Sequence, residues 1–230
     1  MTDTAASIGY GTVLELALKS APTAFTYVRE MFDATPPADS DDNVEATNMQ
    51  SPNRRREYIP GLTDSGEASF EMNYVPGSAI DIFLRSIKGK ALIGRLTFAN
   101  GVQIIFNCSR QGYETAVPND DKMTATLTLK VSGEPYMTTP TAPRNLVAPV
   151  IVGVAQVGVA LTVDPGQWAG ATGLTFQWQA DGVNVGGATG ESFVPLVGNL
   201  GDVITCEVTA ANATFSTMLE TAGTAAVIAA

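Results

Sequence analysis

A proline- and threonine-rich stretch in the second half of the chain most strongly limits how the chain can fold. It reads Thr138-Thr139-Pro140-Thr141-Ala142-Pro143-Arg144-Asn145-Leu146-Val147-Ala148-Pro149. Prolines spaced in this way favour an extended, semi-rigid segment. Up to residue 137 the chain holds 12 of its 13 basic and 17 of its 23 acidic residues, so its composition also changes here. We therefore predict two domains, residues 1–137 and 149–230, joined by a linker over residues 138–148.

The first domain is predicted to be mainly β. Apolar runs indicate strands near residues 11–17 and 25–31. Residues 35–57 are acidic and turn-rich without apolar periodicity, and they predict a loop of about 20 residues, a length typical of functional or disordered loops. Beyond it, an alternating pattern predicts a half-buried strand whose inner face carries Ala68, Phe70, Met72 and Tyr74.

One amphipathic helix is predicted within this domain. Ser78 is a candidate N-cap, and an apolar stripe follows at helical spacing, formed by Ile80, Phe83, Leu84 and Ile87. Gly89 is placed to end the helix. After it, two apolar runs flank Asn100-Gly101, a strong signal for a hairpin turn, and a closing strand follows over residues 123–131.

The second domain is predicted to be all-β. Short runs of Val, Ile, Leu, Phe and Thr recur between glycine-rich turns, which is typical of a sandwich. Trp178 is predicted to face the core, whereas Trp168 lies in a glycine-rich turn and stays ambiguous. The two cysteines, Cys108 and Cys206, are far apart and outside any CxxC pattern, so we expect two buried thiols in different domains.

Charge and residue usage exclude several functions. The net charge of −10 argues against gripping a nucleic-acid backbone, although it permits DNA to be enclosed without being bound. The chain has no histidine, so the commonest general base and metal ligand are absent. The acidic residues Asp39, Asp41, Asp42 and Glu45 lack the central glycine and the terminal glutamate of a calcium loop. We predict no enzyme activity, no cofactor and no metal.

The only basic run, Arg54-Arg55-Arg56, allows three interpretations. It pairs with carboxylates of a neighbouring subunit, it is a solvated loop end, or it binds phosphate. The acidic residues just before it favour the first interpretation, because charged pairs across an interface set register and partner choice.

The first domain resembles the lambda-like tail tube proteins of long-tailed phages. The resemblance rests on Arg54 to Glu67, read as RRREYIPGLTDSGE, and on Phe70-Glu71-Met72-Asn73-Tyr74. It implies a β-sandwich or barrel with one packed helix, and a turn after the loop at Gly61, Asp64 and Gly66. It further implies hexameric rings that stack into a tube, with the long loop reaching the adjacent ring and DNA passing through the lumen. Tape-measure, terminator and baseplate or tip proteins would be the partners, and the virion tail, assembled in the host cytoplasm, the location.

The second domain is similar to bacterial and phage immunoglobulin-like domains. The segments that resemble them are Val157–Thr162, Gly166–Trp168, Phe176–Gly182, Gly187–Gly190 and Gly201–Asn212. Two features of the family are absent: no cysteine lies near Leu161 or Val163 to pair with Cys206, and Ile204 replaces the corner tyrosine. The resemblance implies a surface decoration with weak binding to cell-surface sugars.

Three other functions fit the sequence less well: a capsid decoration protein, a bacterial cell-surface carbohydrate-binding protein, and an enzyme with an accessory module. Residues 1–7 have neither the basic region nor the apolar core of a signal peptide, which argues against the second. No apolar stretch reaches the length needed to cross a membrane, so no membrane partner is expected.

Overall fold

The computed structural model describes residues 9–230 and confirms the predicted fold class, mainly β with one α-helix in the described chain. Residues 1–8, which include the segment inspected for a signal peptide, lie outside this range. The chain divides into two compact units. The N-terminal unit comprises residues 13–96 and 104–137. The C-terminal unit comprises residues 138–230 together with residues 97–103 and 9–12.

The strands of the first part of the chain lie mostly in one large sheet. Their order is β2-β1-β7-β8-β9-β6-β3, with β10 paired to β8, while β4 and β5 form a separate pair. The elements are β1 Val13–Leu18, β2 Thr26–Val28, β3 Met31–Thr35, β4 Ser40–Glu45, β5 Tyr58–Asp64, β6 Glu67–Asn73, α1 Ala79–Ser86, β7 Ala91–Thr97, β8 Gln103–Ala116, β9 Thr124–Val131 and β10 Tyr136–Met137.

Strand β8 is long enough to pair with different strands along its two halves. Its first half pairs with β10 at Ile104 and Ile105, and its second half pairs with β9 from Cys108 onward. A bulge between Arg110 and Gly112 interrupts the second pairing. Bulges bend a strand and increase its twist, so this one helps the sheet curve around its core.

The core of the N-terminal unit comes from the predicted alternating faces. Ala68, Phe70 and Met72 of β6 are buried, which confirms three of the four predicted inward residues; Tyr74 lies just beyond the strand. Strand β9 contributes Leu127 and Leu129, fully buried. These residues alternate with more exposed ones, so a single sheet face supplies the core.

The predicted helix is confirmed, and both ends of it are tied to β8. Ser78 caps it by accepting a hydrogen bond from Asp81 N at 3.2 Å. Tyr113 Oη donates to Asp81 Oδ1 at 3.2 Å, and Arg110 Nη1 donates to Leu84 O at 2.8 Å. Of the predicted stripe, Leu84 and Ile87 are fully buried, whereas Ile80 and Phe83 are half-buried. The helix is therefore held by two buried apolar side chains, Leu84 and Ile87, and by the hydrogen bonds that Tyr113 and Arg110 donate.

Asp81 should make the stability of this unit depend on acid pH. The hydrogen bond from Gly77 N, and then the nearby Arg85, hold the pKa of Asp81 below its usual 3.8 against the opposing effect of burial. Because the folded-state pKa is the lower one, the carboxylate stabilises the fold fully above about pH 5, and this contribution is lost as the pH falls below 3.8 and through the lower folded-state pKa. We expect Asp81→Asn to cost about 2 kcal/mol at neutral pH.

The measurement is urea unfolding of both proteins followed by circular dichroism at neutral and acid pH. The difference in unfolding free energy between the two proteins should narrow as the pH falls below about 4. Protonation of Asp81 removes its negative charge from the wild type, whereas the asparagine variant lacks that charge at every pH. If the difference in unfolding free energy stays constant across this pH range, Asp81 stabilises the unit through packing and neutral hydrogen bonds and not through its charge.

The C-terminal unit packs two sheets around one core. One sheet has the order β12-β13-β17 and the other β16-β15-β18-β19, with β11 and β14 as a separate pair. The strands are β11 Arg144–Val147, β12 Val150–Val152, β13 Leu161–Asp164, β14 Gln167–Ala169, β15 Gly173–Ala180, β16 Val183–Asn184, β17 Ser192–Phe193, β18 Ile204–Ala211 and β19 Ser216–Glu220.

Trp178 lies at the centre of this core, as predicted. It is fully buried, stacks on Phe193 with 5.6 Å between ring centroids, and donates from Nε1 to Gly190 O at 2.8 Å. Cys206 is its cross-strand partner and is also fully buried. Trp168 is largely buried too and donates to Pro165 O, which resolves the ambiguity of the sequence towards a structural role.

Both cysteines are buried free thiols, one in each unit, which confirms that prediction. Burial raises the pKa of the Cys108 thiol to about 12 and that of Cys206 to about 11. Leu161 and Val163, near the position where the expected partner of Cys206 would lie, are buried in the same core as Cys206. The thiolate form is suppressed in both residues, so they are packing residues.

The segment predicted as a linker is more structured than the sequence indicated. Arg144–Val147 forms β11 and pairs with β14. Thr141 donates from both its backbone N and its Oγ1 to Gly101 O, each at 2.9 Å. Asn212 Nδ2 donates to Thr141 O at 2.8 Å and to Gly170 O at 2.9 Å. Hydrogen bonds between segments far apart in sequence therefore order this stretch, although its composition predicted a linker.

The predicted hairpin turn at Asn100-Gly101 is confirmed. Gly101 has φ +82 and donates to Phe98 O at 2.9 Å, while Val102 N donates to Asn100 Oδ1 at 3.0 Å. A Cβ on Gly101 would lie 2.5 Å from Thr141 O, so glycine is required both for its backbone conformation and for space.

Candidate assembly interface

The loop predicted over residues 35–57 is wrong as a description of its structure. Residues 40–45 form β4, which pairs antiparallel with β5 from Glu45↔Tyr58 to Ser40↔Asp64. The two strands and the segment between them form a hairpin, residues 40–64, which we call the arm. All thirteen strand residues are exposed. The prediction failed because a strand with no buried face has no apolar alternation to reveal it.

Short polar contacts organise the arm beyond the two strands. Ala46 N donates to Glu57 O at 2.9 Å and Thr63 Oγ1 donates to Asp41 Oδ1 at 2.6 Å. At the tip, residues 52–54 form a 3-10 turn in which Asn53 and Arg54 have positive φ, 55 and 58. The tip is therefore a defined turn that holds the arginines outward.

The turn implied after the loop is partly corrected. Gly61 lies inside β5 and not in a turn. Asp64 and Gly66 do form one: Gly66 has φ +65 and its N donates to Asp64 Oδ1 at 3.0 Å. Lys130 Nζ lies 2.8 Å from Asp64 Oδ2, so this turn ties the root of the arm to β9.

A bulge in β5 gives the arm two different faces. Asn43 is opposite Pro60 and Asp41 is opposite Thr63, so β5 has one residue more than β4 between these pairs. Alternation forward from Pro60 and backward from Thr63 places both Gly61 and Leu62 on the face of the Val44–Ile59 pair. A Cβ on Gly61 would lie 3.1 Å from Asp42 Cβ and 3.2 Å from Val44 Cγ2, so Gly61 shares its face with both of these β4 residues.

The first face, which we call the apolar face, groups Val44, Ile59 and Leu62, exposed at 51%, 53% and 84%. By the same alternation it also carries Ser40, Asp42 and Asp64 towards the root of the arm. The opposite polar face carries Asp41, Asn43, Glu45, Tyr58, Pro60 and Thr63. Sequence reasoning missed the apolar face because β4 has a single apolar residue, Val44, and the bulge interrupts the alternation of β5. The apolar residues in Tyr58–Leu62 were the only signal that could have indicated it.

The predicted charged residues all lie on the arm or at its root, and all are exposed. Asp39 precedes β4, and Asp41, Asp42 and Glu45 lie on it. Arg56 Nη1 lies 3.7 Å from Glu45 Oε2, a weak exposed pair. Arg54 and Arg55 have no ion pair within the described part of the chain. The arm is thus acidic at its root and basic at its tip.

An open groove at the root does not have the features of a ligand site. It is lined by Asp39, Asp41, Thr63, Asp64, Ser65, Val131, Gly133 and Glu134. Small-molecule sites are usually enclosed and mostly apolar, and this groove is neither. Across residues 9–230, no group of three or more acidic or thiol side chains is arranged to hold a metal ion.

A comparison with protein families agrees with the resemblance seen in the sequence. The model described as "Lambda phage tail tube protein, TTP" matches residues 10–138, more than half of the chain. The chain belongs to the lambda phage tail tube protein family. It is therefore a structural component of the virion tail, and the family is not one of enzymes.

Solved structures similar to this family member include subunits of tails and injection systems. The tail of an empty gene transfer agent particle matches with 14% identity and a TM-score of 0.48 over 58% of this chain and 100% of that one. The anti-feeding prophage baseplate matches with 8% identity and a TM-score of 0.47 over 59% and 97%. The tube terminator region of an extracellular contractile injection system matches with 13% identity and 0.44 over 60% and 100%.

Comparison with curated protein sequences gives no match. Among residues 9–230, no helix is long and apolar enough to span a membrane.

Proposed function

We propose that this chain forms rings that stack into the phage tail tube, with the arm as the contact between successive rings. The observation that supports this most directly is the arm itself. It projects from the unit that matches the tail tube family, and none of its strand residues is buried. An isolated two-stranded hairpin is marginally stable in water, so the arm needs another surface to cover it.

The proposed tube has two kinds of contact. Ring closure, in hexamers, is assigned to the edge strands of the large sheet, β2 and β3, whose outer edges have no partner strand within the described chain. Stacking through the arm is a heterologous contact that does not close, and such contacts generate filaments. Tape-measure, terminator and baseplate or tip proteins are the proposed partners at the ends of the tube.

DNA is proposed to pass through the lumen without specific binding. The net charge of −10 supports this, because an acidic wall repels phosphates and limits sticking. The three adjacent arginines at the arm tip are assigned to the subunit contact and not to DNA.

Residues 149–230, which form most of the C-terminal unit, are proposed to be an immunoglobulin-like decoration at the outer surface of the tail. The two sheets β12-β13-β17 and β16-β15-β18-β19, packed around Trp178, support this assignment. A weak affinity for host-surface glycans would be raised by the many copies along a tube.

The test is negative-stain electron microscopy of the full chain at rising concentration, beside a variant without the arm. Ser40 and Asp64 are cross-strand partners, so residues 41–63 can be replaced by Asn-Gly, a two-residue hairpin turn. We expect hollow tubes from the intact chain and none from the variant. The variant should remain folded, with a β-rich circular dichroism spectrum that differs from that of the intact chain only by the loss of one hairpin. Tubes from the armless variant at the same concentration would contradict the stacking role.

A further inference from the structure

The three branched apolar side chains of the arm's strands lie on one face, with Asp42 beside them, and this grouping indicates one-sided burial. We propose that the arm docks onto a second copy of this chain through Val44, Ile59 and Leu62, while the polar face stays outside the contact. This inference rests on the proposed stacking function and adds which side of the arm is covered.

The exposure of these three side chains is the first argument. Leu62 is 84% exposed, and Val44 and Ile59 form an exposed cross-strand pair. Large apolar side chains grouped on one exposed face mark an interaction site more often than scattered ones do. On β4 the opposite face carries two carboxylates and an asparagine, whereas the apolar face carries one carboxylate, Asp42. Burying the opposite face without partners would therefore cost more.

The bulge is the second argument. Without the extra residue in β5, regular alternation would move Leu62 to the side of Tyr58 and Pro60 and leave Val44 and Ile59 alone. Gly61 fits on this face because it has no side chain: a Cβ there would lie 3.1 Å from Asp42 Cβ and 3.2 Å from Val44 Cγ2. Bulges are known to redirect side chains, and this one gathers the apolar residues onto one side.

Charge identifies the occupant as a second copy. Arg54 and Arg55 stand at the tip without an ion pair among the described residues, and the whole chain carries a net charge of −10. Strand β4 alone extends about 17 Å at roughly 3.3 Å per residue, so the tip arginines lie far from the carboxylates at the root of their own arm. A basic tip therefore complements an acidic neighbour of the same sequence, with the apolar face buried between them.

The decisive comparison uses two adjacent residues. Ile59 and Tyr58 are equally exposed, at 53% and 52%, but lie on opposite faces of β5. We expect Ile59→Gln to raise the concentration needed for tube formation about tenfold, because one buried branched side chain is lost from each contact. Tyr58→Gln, the matched control, should leave that concentration unchanged within about twofold. Equal effects of the two substitutions would overturn the proposed face.

A photo-crosslinking amino acid at residue 59 or 58 of the full chain provides a second readout, which does not require spontaneous tubes. Covalent dimers from position 59 and not from 58 would support the inference. Adducts from both positions, or from neither at high protein concentration, would overturn it. Tubes formed by the armless variant would instead reject the stacking function itself, so the two failures are distinguishable.

Discussion

Replacing Glu15 by glutamine is expected to lower the free energy of unfolding of the N-terminal unit by about 3–5 kcal/mol. Glu15 is 1% exposed, and both of its carboxylate oxygens accept hydrogen bonds from Arg95, each at 3.1 Å. The guanidinium also lies 3.8 Å from the centroid of the Phe25 ring. Removing the negative charge leaves a largely buried cation without its counterion, which costs more than the pair itself contributes.

The measurement is denaturant unfolding followed by two signals. Both tryptophans lie in the C-terminal unit, so their fluorescence reports on that unit alone, whereas circular dichroism reports on both. Glu15→Gln should move the circular dichroism transition and leave the fluorescence transition in place.

The matched control is Glu15→Leu combined with Arg95→Leu. Because this change removes both charges together, it should restore most of the lost stability. If the double variant is as unstable as Glu15→Gln, the loss in unfolding free energy comes from altered packing at this site and not from the unpaired charge of Arg95.

Replacing Trp178 by alanine is expected to destabilise the C-terminal unit by about 3–5 kcal/mol. The substitution removes a fully buried side chain, its stacking on Phe193 and the hydrogen bond to Gly190 O. The neighbouring core comes from both sheets, so it cannot collapse into the space without moving strands.

Urea unfolding followed by the fluorescence of the remaining Trp168 measures this loss. Trp178→Phe keeps an aromatic ring and should fall between the wild type and the alanine variant. A loss below about 1 kcal/mol for Trp178→Ala would mean that the core repacks around the gap. Since the arm lies in the other part of the chain, tube formation by the folded variant should persist.

Strong local signals predicted particular elements correctly. Ser78 and the stripe of Leu84 and Ile87 indicated helix α1, because capping and helical periodicity act over a few residues. The alternation of Ala68, Phe70 and Met72 indicated β6 for the same kind of reason. Asn100-Gly101 indicated its turn through the positive φ that glycine adopts easily.

The candidate interface was predicted only in part. The charged residues Asp39 to Arg56 were placed correctly in one exposed segment, because charge and turn residues in a run indicate exposure. Its strands were missed, as was the apolar face. The pairing of β4 with β5, and the bulge that turns Leu62 towards Val44, depend on register between residues well apart in sequence.

By itself, the sequence determined the mainly β composition, helix α1, the hairpin turn and the buried role of Trp178 and Cys206. It also determined the resemblance of the first domain to tail tube proteins, which the family match confirms. These follow from local periodicity and from motifs of adjacent residues. Only the tertiary structure decided that the long loop is a two-faced arm, that Arg144–Val147 is a strand and that Glu15 is neutralised by Arg95. Each of these depends on which distant segment lies alongside, and no local pattern specifies that neighbour.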